Sequence, residues 1–389
     1  MTHNKGQVDA LVRVREQLLE LLRSTLWGTE PSIELFEGSI DLGAIVAESK
    51  KQSVLSSIYV QLDKLPQKLP KTTILSLHTL TTRNRTMQLK QLQVIDKVTK
   101  RLQAGGIERP VLLKGAGVMM NYLDPGVRQC GDIDLYVGKE QYEEACKIAA
   151  SWDECITDKK SKSLKHFHIH FEGISVEIHR KVISSTNISR NASAFERWCV
   201  ESLEGDDLRR VNIGGVEIYL PPYNFDAIYI FYHAWDHFCT YGISFRQISD
   251  WCRFLSVYRD QIDREKLAAD LKRFGLVRPW GYFAGVATTC LGLDQSALVS
   301  FDSSKDWRTE RVCEKIWRCG NFGHFDDRNA TGKGYNIFVR KLVNFFSLFN
   351  SFAFLFSIDR RYSMNYLFRT PLKHLKTNIA EAYYTLTHK

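Results

Sequence analysis

No CxxC pair occurs among the nine cysteines of this 389-residue chain, and nine is an odd number. That arrangement argues against a disulfide framework and a thiolate zinc site, and fits reduced thiols in a cytoplasm. The first stretch, Met1 to Leu26, lacks the apolar core of a secretory signal peptide. Gly332-Lys333 lacks the glycine five residues earlier that a phosphate loop requires. The apolar stretch Leu342–Ile358 is short and broken by Asn344, Ser347, Asn350 and Ser351, so it makes a poor membrane span. No internal repeat is present. With 44% hydrophobic and 25% charged residues, the composition is that of an ordinary globular protein rather than a disordered or fibrous one.

What the chain does have is positive charge. Lysine and arginine number 53 against 44 acidic residues, a formal net charge of +9. An anionic partner follows, and a nucleoside triphosphate, a nucleic acid, an acidic polysaccharide or a membrane surface would each satisfy it. Hydrophobic spacing divides the chain into an N-terminal helical region, 1–105, and a core with strand patterns, 106–182. A helical subdomain, 183–300, and a loop with an aromatic-rich helical extension, 301–389, follow. In that extension Arg360, Arg361, Arg369, Lys373 and Lys376 follow the phenylalanines. Residues 342–376 therefore either pack on the protein or dock peripherally on an anionic membrane.

The chemistry concentrates in the core. Asp132–Val137 alternates polar and apolar residues, so Asp132 and Asp134 project from one strand face, about 7 Å apart, while Ile133 points into the core. Such a pair is also the pattern of a solvated strand edge. Its surroundings favour more. Upstream, Leu112-Leu113-Lys114-Gly115-Ala116-Gly117 reads as strand, small-residue turn and helix start, a favourable place for phosphate. Arg128, between turn and strand, offers a fixed multidentate donor to a phosphate. Downstream, Glu172-Gly173 separates two alternating runs, and a two-residue hairpin loop there pairs His168 with Glu177 and His166 with His179. One face then carries His166, His168, His170, Ser175, Glu177 and His179, and the other carries apolar residues. If that hairpin lies beside Asp132–Val137, Glu177 completes a three-carboxylate set able to hold Mg2+ or Mn2+ with nucleotide phosphates. The histidines on that face are either partners that orient the carboxylates or ordinary strand residues.

Leu113-Lys114-Gly115, Tyr122, Asp124-Pro125-Gly126, Arg128 and Gly131-Asp132-Ile133-Asp134-Leu135 together resemble the core of the uncharacterised nucleotidyltransferase-like family. That family belongs to the polymerase-beta-type nucleotidyltransferase superfamily. Val176-Glu177-Ile178-His179 resembles its second acidic strand. Tyr232-His233-Ala234-Trp235-Asp236-His237 and Arg246-Gln247-Ile248-Ser249-Asp250 resemble its carboxy-terminal helices. The likeness spans roughly residues 80–295. It implies an α+β fold, a small mixed β-sheet flanked by helices. It also implies metal-dependent transfer of a nucleotidyl group from a nucleoside triphosphate to a hydroxyl acceptor, with release of pyrophosphate. Asp132, Asp134 and Glu177 are then the catalytic metal ligands, and Lys114, Gly115 and Ala116 lie at the triphosphate.

One departure stands out, because Lys114-Gly115 replaces the superfamily's usual Gly-Ser. A non-catalytic binding protein on the same fold, or a phosphotransferase using the same metal, are the alternatives. His233 and His237 are four apart on a helical segment, without the glutamate of a zinc-protease motif. They either pack among aromatics or, as the resemblance implies, close over the nucleotide or acceptor with Arg246 and Asp250. The acceptor could be a sugar, glycan, metabolite, RNA end or protein.

Overall fold

The computed structural model describes residues 2–38, 40–65, 70–129, 131–157, 163–183, 188, 190–213, 215–325, 352–360, 362–364 and 379. The fold is α+β, with one mixed sheet among helices. Helices α1 (Thr2–Trp27), α2 (Leu42–Lys51) and α3 (Leu55–Leu62) lead into α4 (Lys71–Ala104), which ends where Gly105 caps it. The core alternates: β1 (Val111–Leu113), α5 (Ala116–Met119), β2 (Ile133–Tyr136), α6 (Gly138–Ala150), β3 (Cys155–Ile156), β4 (His166–Phe171) and β5 (Ile174–His179). After α7 (Ala192–Glu204) come β6 (Arg209–Ile213) and β7 (Val216–Leu220). The helical half is α8 (Tyr223–Thr240), α9 (Phe245–Val257), α10 (Arg264–Phe274), α11 (Val277–Leu291) and α12 (Thr309–Cys319).

The strands lie in the order β3-β4-β5-β2-β1-β7-β6. β2 runs parallel to β5 and antiparallel to β1, and β7 runs parallel to β1. The β4–β5 hairpin has the expected register, with His168 opposite Glu177 and His166 opposite His179. Its loop residues Glu172 and Gly173 both have positive φ, 50° and 76°, the requirement of a type I′ turn matched to strand twist. β6 and β7 were not anticipated. They form a second hairpin inside the stretch expected to be helical and extend the sheet past β1.

Two apolar layers sandwich the sheet. On one face Leu112, Ile133, Leu135, Ile169, Val176 and Ile178 pack with Val94, Ile95 and Val98 of α4 and with Tyr142 and Ala145 of α6. On the other, Val111, Leu113 and Tyr136 join the aromatic core of the helical half, where Trp235, Trp251 and Trp280 are fully buried. Each such side chain contributes about 2–3 kcal/mol by leaving water. The face that carries Asp134, Glu177 and His179 is thus the face turned toward the helical half. Residues 352–358 are helical, and Leu355, Ile358 and Tyr362 are buried in that same core, with Trp235 Nε1 donating to the Tyr362 hydroxyl at 2.9 Å. This described part of the aromatic extension packs on the protein. The rest of 342–376 lies outside the described residues. Among the described residues no helix is long and apolar enough to cross a membrane.

Candidate active site

β2 and β5 are in register with Asp134 beside Glu177, and Asp132 immediately precedes β2. Asp132, Asp134 and Glu177 each offer a carboxylate oxygen, and these oxygens all lie within 4.8 Å of one another. Three anions this close require cations. The protein supplies two of its own. Lys114 Nζ sits 3.0 Å from Asp134 Oδ2, and His179 Nε2 donates to Asp134 Oδ1 at 2.8 Å while standing 3.2 Å from Glu177 Oε2.

The pKa shifts follow this geometry. Burial opposes the charge of Asp134, yet Lys114 and His179 hold it well below the ordinary carboxylate value. Burial likewise works against Glu177, but the His179 hydrogen bond lowers it. Asp132, the exposed member, is raised, first by the charge of Asp134. Burial would discharge Lys114 and His179, and the carboxylates outweigh it and raise both. Donors that converge this way, all hard oxygens, fit a magnesium or manganese ion.

The turn from β1 shapes the mouth of this cluster. Lys114 takes φ 40°, and Gly115 adopts φ 54° with ψ −119°, a conformation that favours glycine. An added Cβ on Gly115 would stand in contact with the Asp132 carbonyl at 3.4 Å, so the positive φ rather than lack of space is what favours glycine. Ala116 follows as the first residue of the one-turn helix α5.

The loop from Asp124 to Gly131 is held from below by α4. Asn84 Nδ2 donates to the carbonyls of Gly126 (3.0 Å) and Arg128 (2.9 Å), and Gln88 Nε2 donates to those of Pro125 (2.8 Å) and Arg128 (2.6 Å). Gln91 Nε2 donates to the Gly131 carbonyl. Sequence reasoning missed this amide ladder. Its signal was the helical spacing of Asn84, Gln88 and Gln91 on one face of α4.

A second cluster stands on α9. Arg128 forms a two-pronged, buried ion pair with Asp250, Nε to Oδ1 at 2.8 Å and Nη2 to Oδ2 at 2.9 Å, and the Tyr122 hydroxyl donates to Asp250 Oδ1 at 2.8 Å. The fork expected to face a phosphate therefore clamps α9 to the entry of the acidic strand. Beside this cluster Arg246 keeps a donor to spare. Its Nη1 donates to the Gln129 carbonyl at 3.3 Å, its Nε has no hydrogen-bond partner, and it lies over Gly131.

His233 and His237 occupy one face of α8, Nε2 to Nε2 at 3.3 Å, with His237 edge-on to Phe322. Burial holds both neutral, and the nearby charge of Lys114 adds to it. His233 is driven well below the ordinary value and His237 down to about 4. The unfolded chain therefore takes up protons that the folded protein refuses. Stability is full above the ordinary histidine value of 6.5 and is lost as pH falls toward about 4. Denaturant unfolding between these limits should give a steep loss in the wild type. A visibly shallower one is expected in His233→Gln/His237→Gln, and equal slopes would refute the assignment.

The structure thus brings Lys114, Asp132, Asp134 and Glu177 together with His179, and sets His233 and His237 within reach of Lys114's field. Arg128 and Asp250 pair with each other, and Arg246 stands alongside. The sequence profile of a family described as uncharacterised nucleotidyltransferase matches residues 38–292, more than half of the 389 residues. The match begins well before the roughly 80 expected from motifs, taking in α2 to α4. No curated protein and no solved structure matches the chain.

Proposed function

The chain belongs to the uncharacterised nucleotidyltransferase family, and on that premise we propose that it transfers a nucleoside monophosphate from a nucleoside triphosphate to a hydroxyl acceptor. The observation that carries this reading is the convergence of Asp132, Asp134 and Glu177 on one face of the paired strands β2 and β5. Mg2+ or Mn2+, when held by these three carboxylates, supplies charge neutralisation at the phosphates and lowers the pKa of the acceptor hydroxyl.

The chain's own groups do the rest. Lys114 exchanges Asp134 for a phosphate oxygen, with Gly115 and Ala116 presenting backbone at the same turn. Arg246, whose Nη1 lies beside Gly131 at the entry of β2, offers a phosphate there a further cation. Arg128 and Asp250 position that entry rather than touch the nucleotide. The neutral His233 and His237, near enough to Lys114 to feel its charge, meet the nucleotide or acceptor. Glu177 accepts the acceptor's proton, directly or through water. The acceptor oxygen bonds to the α-phosphorus as the bond from that phosphorus to the pyrophosphate breaks.

Glu177 turned toward both aspartates counts against a purely non-catalytic role. The phosphotransferase alternative uses the same residues, so product identity decides. Incubation with α-labelled triphosphate, Mg2+ or Mn2+ and fractionated acceptors should label an acceptor. The same incubation with γ-labelled triphosphate should release label as pyrophosphate. Acceptor labelled only from the γ-position would replace this reading with phosphoryl transfer.

A further inference from the structure

We propose that His166, Glu177 and His179 form a binding site for a nitrogen-seeking divalent ion such as Zn2+, beside the all-oxygen position and sharing Glu177 with it. His166 and His179 are directly opposed on β4 and β5, their ring centroids 5.3 Å apart. Glu177 Oε2 stands 3.2 Å from His179 Nε2 and 3.4 Å from His166 Nδ1, and the three donor atoms lie within 4.8 Å of one another.

Two further observations point to an ion rather than to packing. His166 Nδ1 is a buried nitrogen without a hydrogen-bond partner, facing that carboxylate. His179 Nδ1 lies 3.3 Å from the Lys181 carbonyl, the arrangement by which a backbone oxygen fixes a metal-ligating imidazole with Nε2 toward the metal. The arriving ion displaces the Nε2 proton, which is released to solvent, and the Asp134 Oδ1 that accepted it at 2.8 Å then borders the ion. Two imidazoles and one carboxylate are the three-ligand set of open zinc sites, and adjacent strands hold them without reorganisation. Magnesium, which seeks oxygen, has no comparable claim on this set. Glu177 has two oxygens, so it can serve both positions. The site is built from these three side chains with Asp134 bordering it, and it stands whether or not the chain transfers nucleotides.

The test is Zn2+ titration of the full-length protein against a chromophoric chelator with Mg2+ in excess, with Co2+ absorption reporting the ligand set. The wild type should bind one Zn2+ at this site. His166→Ala and His166→Gln should each weaken it by at least about tenfold, with circular dichroism confirming that both variants fold. His170→Ala, exposed on the same face of β4, should leave the affinity unchanged. Wild-type affinity in both His166 variants, or an equal loss in His170→Ala, would each overturn the proposal.

Discussion

Asp134→Asn should lower the unfolding free energy of the metal-free protein by about 3 kcal/mol or more, while Asp132→Asn should raise its melting temperature. Asp134 is 2% exposed and is the shared partner of Lys114 and His179. Removing one member of a buried ionic cluster leaves the others uncompensated, at a cost of about 3–5 kcal/mol. Asp132 is exposed and carries a raised pKa caused first by Asp134. A carboxyl raised on folding contributes stability below its ordinary value of 3.8 and loses it as pH rises through the folded value. Neutralising it should therefore help at pH 7 and make no difference in acid. Asp134 has the opposite sign, because its contribution is present above 3.8 and disappears as pH falls. Denaturant unfolding of both variants at pH 7 checks the pair. Equal losses would contradict the asymmetry.

Asp250→Ala should cost about 3–5 kcal/mol, far more than the loss of an exposed pair. Arg128 and Asp250 are 8% and 11% exposed as side chains, and Tyr122 depends on the same carboxylate. Lys64 and Glu30, at 40% and 77%, provide the contrast, and Glu30→Ala should cost no more than about 1 kcal/mol. Arg128→Lys should recover little, because an ammonium cannot make the two-pronged contact. In a double-mutant cycle, Arg128→Met with Asp250→Leu should cost clearly less than the sum of the single changes. Additive losses, or an Asp250→Ala cost no larger than that of Glu30→Ala, would return Arg128 to the role of free phosphate ligand.

Much of this was legible in the chain because local rules and the global fold agree there. The hairpin 166–179 is fixed by alternation and by a turn that demands two positive φ residues, so local pattern alone sets Glu177 opposite His168. The neighbouring β6–β7 hairpin carries the same signal, Gly214-Gly215 between alternating runs, inside the stretch 183–300 assigned to a helical subdomain. Asp132 and Asp134 were visible through the period of a strand. Their counter-ions were not, since the contact between Lys114 and Asp134 is set by the antiparallel pairing of β1 with β2. His179 was read as one of several histidines on a face. Only the parallel pairing of β2 with β5 makes it the group between two carboxylates. The chemistry of Arg128 suits a phosphate, but the partner that takes its fork is 122 residues away. Long-range pairing of this kind has no local signature.

The most direct measurement is thermal unfolding with a nucleoside triphosphate and Mg2+, each alone and together, in the wild type and in Asp132→Asn/Asp134→Asn. A ligand bound only by the folded state stabilises it by mass action, about 2.7 kcal/mol at a hundredfold excess over its dissociation constant. The wild type should show that shift only when nucleotide and metal are both present, and the double variant should show none. An equal, metal-independent shift in both proteins would contradict a carboxylate-held metal–triphosphate site.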